Sequence, residues 1–173
     1  DDITIQNANV DASASEKTIR ANKTIAINEN STVVAKLDGT GIQNSDKDKD
    51  LMTVGIAAGH ESETAGKSTF GDVTITDSKV TTEGIHVLAN DSNENALKVE
   101  AGSDITVDGD AKITAVQMNG GKVTFNGKLN GEKDSKGNFG ATTFTGESGT
   151  VVLGAKVDLD KIDTKGCGAG FTI

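Results

Sequence analysis

A four-residue phrase recurs along this chain: a charged residue, then apolar–Thr–apolar. It stands at Asp2-Ile3-Thr4-Ile5, Asp72-Val73-Thr74-Ile75, Asp104-Ile105-Thr106-Val107 and Lys122-Val123-Thr124-Phe125. Looser copies occur at Lys23-Thr24-Ile25-Ala26-Ile27, Lys112-Ile113-Thr114-Ala115-Val116 and Thr150-Val151-Val152-Leu153. Successive side chains of an extended strand point to opposite faces, so each copy sends Ile, Val or Phe one way and Thr the other. Several copies run into Asn, Asp or Gly, as at Gln6-Asn7, Thr76-Asp77, Asp108-Gly109 and Asn126-Gly127. A second apolar step then follows at Asn9-Val10, Lys79-Val80, Lys112-Ile113 and Lys128-Leu129. The repeated unit is strand, corner, strand.

The residue balance agrees. Ile and Val number 27, Leu only 7, and Thr adds 21. β-Branched side chains are stiff at χ1 and pack well on a pleated surface. No stretch has the 3.6-residue periodicity of an amphipathic helix. Glycines beside Asn or Asp supply the positive φ of tight turns.

The clear copies begin at 2, 72, 104 and 122. Intervals of 18 and 32 fit one turn plus variable loops, and the 70-residue gap holds about three turns of roughly 20–25 residues. Val33 to Leu37, Leu51 to Ile56, Gly84-Ile85-His86-Val87-Leu88 and Ala96-Leu97-Lys98-Val99 supply further strands. The spacing predicts an all-β chain, a right-handed parallel β-helix of about seven to eight coils. It would form a single domain over 1–173, as a fragment of a longer surface protein. The alternative is an antiparallel β-sandwich, whose core would call for large aromatics. The chain has no Trp or Tyr and only five Phe. Two polar segments, 41–50 and 130–138, read as loops leaving the coil.

Charge narrows the partners. The formal net charge is −9 and Arg20 is the sole arginine, which argues against nucleic acid or an anionic membrane surface. No 18-residue apolar run exists to insert as a helix. Cys167 is alone, so an internal disulfide framework is excluded. The chain opens Asp1-Asp2 without Met, as expected of a processed product or excised fragment.

The Asp-Val/Ile-Thr-Ile/Val copies, the Asn-Gly-Lys steps and Gly120-Gly121-Lys122-Val123-Thr124-Phe125 resemble passenger domains of bacterial autotransporter adhesins. Filamentous-haemagglutinin-type adhesins are similar in style. The resemblance implies export, display at the bacterial cell surface and virulence-related cell adhesion. It supplies no active-site motif.

Candidate chemical motifs each fall short. Gly66-Lys67-Ser68 resembles the end of a phosphate loop, but Glu61 stands where its first glycine belongs. Asp46, Asp48 and Asp50 alternate like calcium-loop ligands, yet Leu51 replaces the required Gly and Lys47 and Lys49 neutralise the set. His60 and His86 read as surface histidines about one coil apart, too few for a metal site. Gly166-Cys167-Gly168-Ala169-Gly170 lies too near the C-terminus for a dinucleotide fold and reads as a small-residue turn with a buried Cys167. The sequons at Asn22, Asn30 and Asn90 would stay bare in a bacterial protein.

The sequence therefore assigns no catalytic, metal or cofactor-binding residue, and no cofactor. The expected function is a non-catalytic adhesin or self-association module working through the lateral face and loops. Its partner would be a host surface protein, a glycan or another copy. A β-helical polysaccharide lyase or hydrolase is the alternative, weakened by the missing Trp and Tyr. An ice-binding face would need more Thr-x-Thr than Thr74-Ile75-Thr76 and Thr143-Phe144-Thr145.

Overall fold

The computed structural model describes residues 1–39, 53–62, 64–90 and 94–173. Within them the chain is all-β, apart from one turn of 3-10 helix at Leu159–Lys161. Strands follow one another in triplets. The first is β1 (Ile3–Gln6), β2 (Asn9–Ala14) and β3 (Lys17–Ala21). The second is β4 (Thr24–Asn28), β5 (Thr32–Leu37) and β6 (Val54–Ala58). The third is β7 (Asp72–Ile75), β8 (Lys79–Thr82) and β9 (Ile85–Val87), and the fourth β10 (Leu97–Glu100), β11 (Asp104–Val107) and β12 (Ala111–Ile113). Thereafter the first two strands fuse, giving β13 (Ala115–Phe125) with β14 (Leu129–Asn130), then β15 (Thr142–Leu153) and β16 (Ile162–Thr172).

Each strand pairs in parallel with its counterpart one triplet on. The first row runs β1-β4-β7-β10 into the start of β13, the second β2-β5-β8-β11 into its end, and β15 and β16 continue both. A separate sheet, β3-β6-β9-β12-β14, makes the third row. Parallel strands in curled sheets, advancing one rung per triplet, are consistent with a β-helix or solenoid. Every ladder between strands is parallel, and the antiparallel pairs among the described residues are two isolated bridges, His60–Thr69 and Lys133–Phe139. The antiparallel sandwich is thereby set aside.

Burial follows the alternation. On the first row, Ile3, Ile25, Val73, Leu97, Val116 and Phe144 share one inward column. On the second, Val10, Val33, Val80, Ile105, Val123 and Val151 do the same. From Ile25 and Val33 onward these side chains are essentially inaccessible to water. Burying each contributes about 1.5–3 kcal/mol before the entropy of ordering is counted. Thr74 and Thr106 sit on the other side, half-buried.

The expectation that large aromatics are missing from the core is corrected. Phe125 and Phe144 are wholly buried, with centroids 6.4 Å apart and rings edge to face; Phe171 meets Phe144 at 6.3 Å. The phenylalanines are few but stack in consecutive rungs, so three rings fill one end of the core.

The corners explain the turn residues. Where row one bends into row two, Asn7, Asn30, Asp77, Gly102 and Gly120 all have positive φ. Asn and Asp tolerate that region better than other side chains, and Gly does so freely. Just after them Ser31, Ser78 and Ser103 are buried, and their hydroxyls donate to the carbonyls of Asn28, Thr76 and Ile75. At the next corner the reason for glycine is space. A Cβ on Gly109 would sit 2.8 Å from the nitrogen of Gly84, and one on Gly127 would collide with the carbonyl of Gly109.

The rows also account for the irregular period. Asp2 and Asp72 head row-one strands, whereas Asp104 and Lys122 lie on row two. The interval from 104 to 122 is a true rung, because Asp104 pairs Lys122; the interval from 72 to 104 crosses a corner. Lys112-Ile113-Thr114-Ala115-Val116 likewise straddles the break between β12 and β13.

Candidate functional site

Two surfaces gather side chains with chemical or binding potential. The first is the outer face of row two. Asn9, Thr32, Lys79, Asp104, Lys122 and Thr150 form one outward column, one residue per rung. Beside it run Asp11, Val34, Thr81, Thr106, Thr124 and Val152. Parallel pairing fixes their spacing at about 4.8 Å per rung. The result is a flat array with Lys and Asp alternating along one column and three threonines in the middle of the other.

The second surface is the outer side of row three. There Arg20, Ala57, His86, Lys112 and Asn130 occupy one column in register. The sole arginine and both histidines gather on this row, because His60 follows β6 and its Nδ1 lies 2.9 Å from Nη2 of Arg20. Arg20 can only donate, so that nitrogen of His60 accepts. His60 is exposed; His86 is 9% accessible and Lys112 5%. His86 is therefore not a surface histidine, and its neighbour one rung back is Ala57, not His60.

What covers His86 and Lys112 is the segment after β14. Glu132 takes a hydrogen bond from Nε2 of His86 at 3.3 Å and an ion pair from Nζ of Lys112 at 2.8 Å. Its own backbone N–H donates to Thr114 Oγ1. Burial works against ionising Glu132, but the hydrogen bonds from His86 and Lys112, with the charge of Lys112, outweigh it and hold the carboxyl below its usual range. Lys17, at the head of the row, is shifted down by burial and by the nearby charge of Arg20.

From Glu132 the chain forms an arm. Gly140 donates to the carbonyl of Glu132, Lys133 bridges Phe139, and the ammonium of Lys133 lies 5.1 Å from the Phe139 ring. At the tip Asp134 accepts from the backbone of Asn138 and Lys136, and these bonds lower its carboxyl pKa. The polar segment expected to leave the sheets at 130–138 does so, but its base is tied down by Glu132.

The remaining motifs have plain places. Gly66 and Lys67 lie in a turn closed by Lys67 N–H to the Thr64 carbonyl, between the bridged His60 and Thr69; no helix follows. The glycines flanking Cys167 lie in strand β16, not in a turn. Cys167 is half-buried, its thiol 3.4 Å from the Phe144 carbonyl, and burial with the charge of Asp163 raises its pKa. Asn30 stands at a positive-φ corner. The 41–50 segment, with Asp46, Asp48 and Asp50, lies outside the described residues. Among the described residues no group of three or more His, Cys, Asp or Glu converges as a metal site, and no helix is long and apolar enough to cross a membrane.

No protein-family model, curated protein or solved structure matches this chain.

Proposed function

We propose that the chain is a right-handed parallel β-helix that acts as a non-catalytic adhesin or self-association module, exported and displayed on a bacterial cell surface. The observation that carries this reading is the outer face of row two. Its Thr, Lys and Asp side chains stand in straight columns on a backbone fixed by parallel pairing. Each contact such a face makes is weak, with a net hydrogen bond contributing about 0.5–1.5 kcal/mol. Rung-by-rung repetition sums them, and a rigid scaffold spares most of the ordering entropy that weakens flexible binders. The arm from Glu132 to Gly140 adds a contact beyond the flat face, as loops on rigid scaffolds commonly do. Partners of this surface are a host protein, a glycan or a second copy.

The test is adhesion by the displayed chain, to cells and to itself. Lys122→Glu, Thr106→Glu and Thr124→Glu together put three carboxylates on the face without touching the core. Adhesion should fall at least tenfold, and trimming the arm tip, residues 134–137, should lower it further. Adhesion untouched by both changes refutes the mechanism. Release of reducing or unsaturated ends from a polysaccharide panel would replace it with the enzymatic alternative.

A further inference from the structure

A groove of about 240 Å³ lies along the corner between rows one and two. Its floor is the serine column, Ser31 and Ser78, whose hydroxyls are already turned inward to backbone carbonyls. Its walls are two columns two residues apart. One is Asn30, Asp77 and Gly102, in the positive-φ positions; the other is Thr32, Lys79 and Asp104, the first residues of their strands.

The wall side chains of Asn30, Thr32, Asp77, Lys79 and Asp104 are exposed and make no hydrogen bond or ion pair among the described residues, so they are available to a ligand from solvent. Elsewhere on the same rungs Asp72 pairs Lys98 at 3.2 Å, Asp108 accepts from Asn126 at 2.8 Å, and Glu100 accepts from Asn119 at 3.1 Å, whereas the groove side chains are left open to a ligand. Near this corner, two residues before Asn30, the buried Oδ1 of Asn28 also has no donor. Gly102 leaves one end of the wall low, and a Cβ there would sit 2.6 Å from Asp77 Oδ1.

The donor and acceptor set decides the ligand class. Two carboxylates accept, one ammonium donates, and an amide and a hydroxyl do both. Carboxylates and amides suit the vicinal hydroxyls of a polyol. Two acids against one lysine leave the groove net negative, which disfavours uronates, sialates and phosphates. Lys79 lies one rung from Asp104 in the same column, and its ammonium opposes a bound cation. The groove is smaller than the roughly 300–1,000 Å³ of drug-sized pockets, which suits one sugar ring with its hydroxyls. We propose that this corner groove binds a neutral sugar unit of a glycan, with Asp77 and Asp104 accepting from ring hydroxyls and Asn30 and Lys79 donating. The assignment rests on the adhesin reading and names its ligand class. Single-site affinity is weak, on the order of 1 mM, and display of many copies makes it useful through avidity.

The test is an NMR titration of the ¹⁵N-labelled chain with glucose, galactose, mannose and N-acetylglucosamine, and with sialic and galacturonic acids. Amides of 30–32, 77–79 and 102–104 should shift with at least one neutral sugar and not with the acids. Asn30→Gly and Asp77→Gly suit the positive-φ corner, so each removes the side chain while sparing the backbone. Each should weaken binding about tenfold or more with the melting curve little changed. Should either variant unfold, Asp104→Asn, at an exposed side chain, must weaken binding by a similar factor. No neutral sugar moving these amides, binding of the acids alone, or binding indifferent to the variants overturns the proposal. If no sugar binds while the three carboxylates on the flat face abolish adhesion, the glycan assignment alone fails. If a neutral sugar titrates these amides while that face change leaves adhesion intact, the flat-face mechanism alone fails.

Discussion

Replacing Glu132 by Gln isolates the charge of Lys112 and tests whether the arm is part of the fold. The Lys112 Nζ–Glu132 Oε2 distance is 2.8 Å, and the two side chains are 6% and 24% accessible. At an effective dielectric of about 20, 332/(20 × 2.8) gives an attraction of about 6 kcal/mol. Desolvation of both charges offsets much of it. Breaking a buried pair by removing one partner costs about 3–5 kcal/mol, and the partial exposure of Glu132 with the retained Gln carbonyl lowers this to about 2–3. Lys112→Met should cost less, about 1 kcal/mol, because Glu132 keeps His86 and some water. The double variant should be more stable than Glu132→Gln alone, since no orphaned ammonium remains. Urea unfolding followed by circular dichroism reads all four corners of this cycle. For a chain of this length, Glu132→Gln should lower Tm by roughly 4–12 °C. The sign of the pH effect follows. The folded carboxyl titrates below its unfolded value of about 4.3, so the stabilisation is complete above that pH and is lost as pH falls through the lower folded value. Glu132→Gln should flatten this acid limb. A loss under about 0.5 kcal/mol with no coupling to Lys112 refutes the reasoning.

Phe144→Ala should cost about 3–5 kcal/mol from its cavity, with further loss of two edge-to-face contacts. Hydrogen exchange should rise first in β15 and β16, because stacked units are stabilised by their nearest neighbours. Gly127→Ala should destabilise the chain by more than about 1 kcal/mol in thermal melts, since its Cβ would strike the Gly109 carbonyl. Asp134→Ala should speed amide exchange at Lys136 and Asn138 and leave the sheets unchanged. Cys167 should react more slowly with iodoacetamide at pH 8 than an unstructured cysteine, because burial and Asp163 both raise its pKa.

Much of the strand pattern was legible because its cause is local. Alternation in Asp72-Val73-Thr74-Ile75 sets which side is buried, and β7 follows it residue for residue. The corner residues were legible for the same reason, since Asn7 and Asp77 adopt the positive φ that few other side chains tolerate. The Phe stack was not, because it depends on register. Phe125 is the last residue of the second-row half of β13, whereas Phe144 lies near the start of β15 on the first row. Nothing in the spacing of 125 and 144 says that their rings meet across the interior.

The same physics hid the row-three cluster. Arg20, His86 and Lys112 are separated by 66 and 26 residues, with segments of very different length between the rungs. A parallel ladder aligns residues by hydrogen bonding and ignores the length of chain that leaves and returns. Insertions that barely perturb stability therefore erase the periodicity that would announce a column. A signal did exist. β9 and β12 are fully buried three-residue strands, and each carries one ionisable residue, His86 and Lys112, between two apolar ones. A polar residue in a strand whose outer side is covered calls for a partner from whatever covers it, and the first acid after β14 is Glu132. At the other corner that rule makes no demand. Asn30 and Asp77 share one column and Asp104 stands in the next, and all three side chains are exposed, so a ligand in that groove competes with solvent for them instead of filling an unmet need.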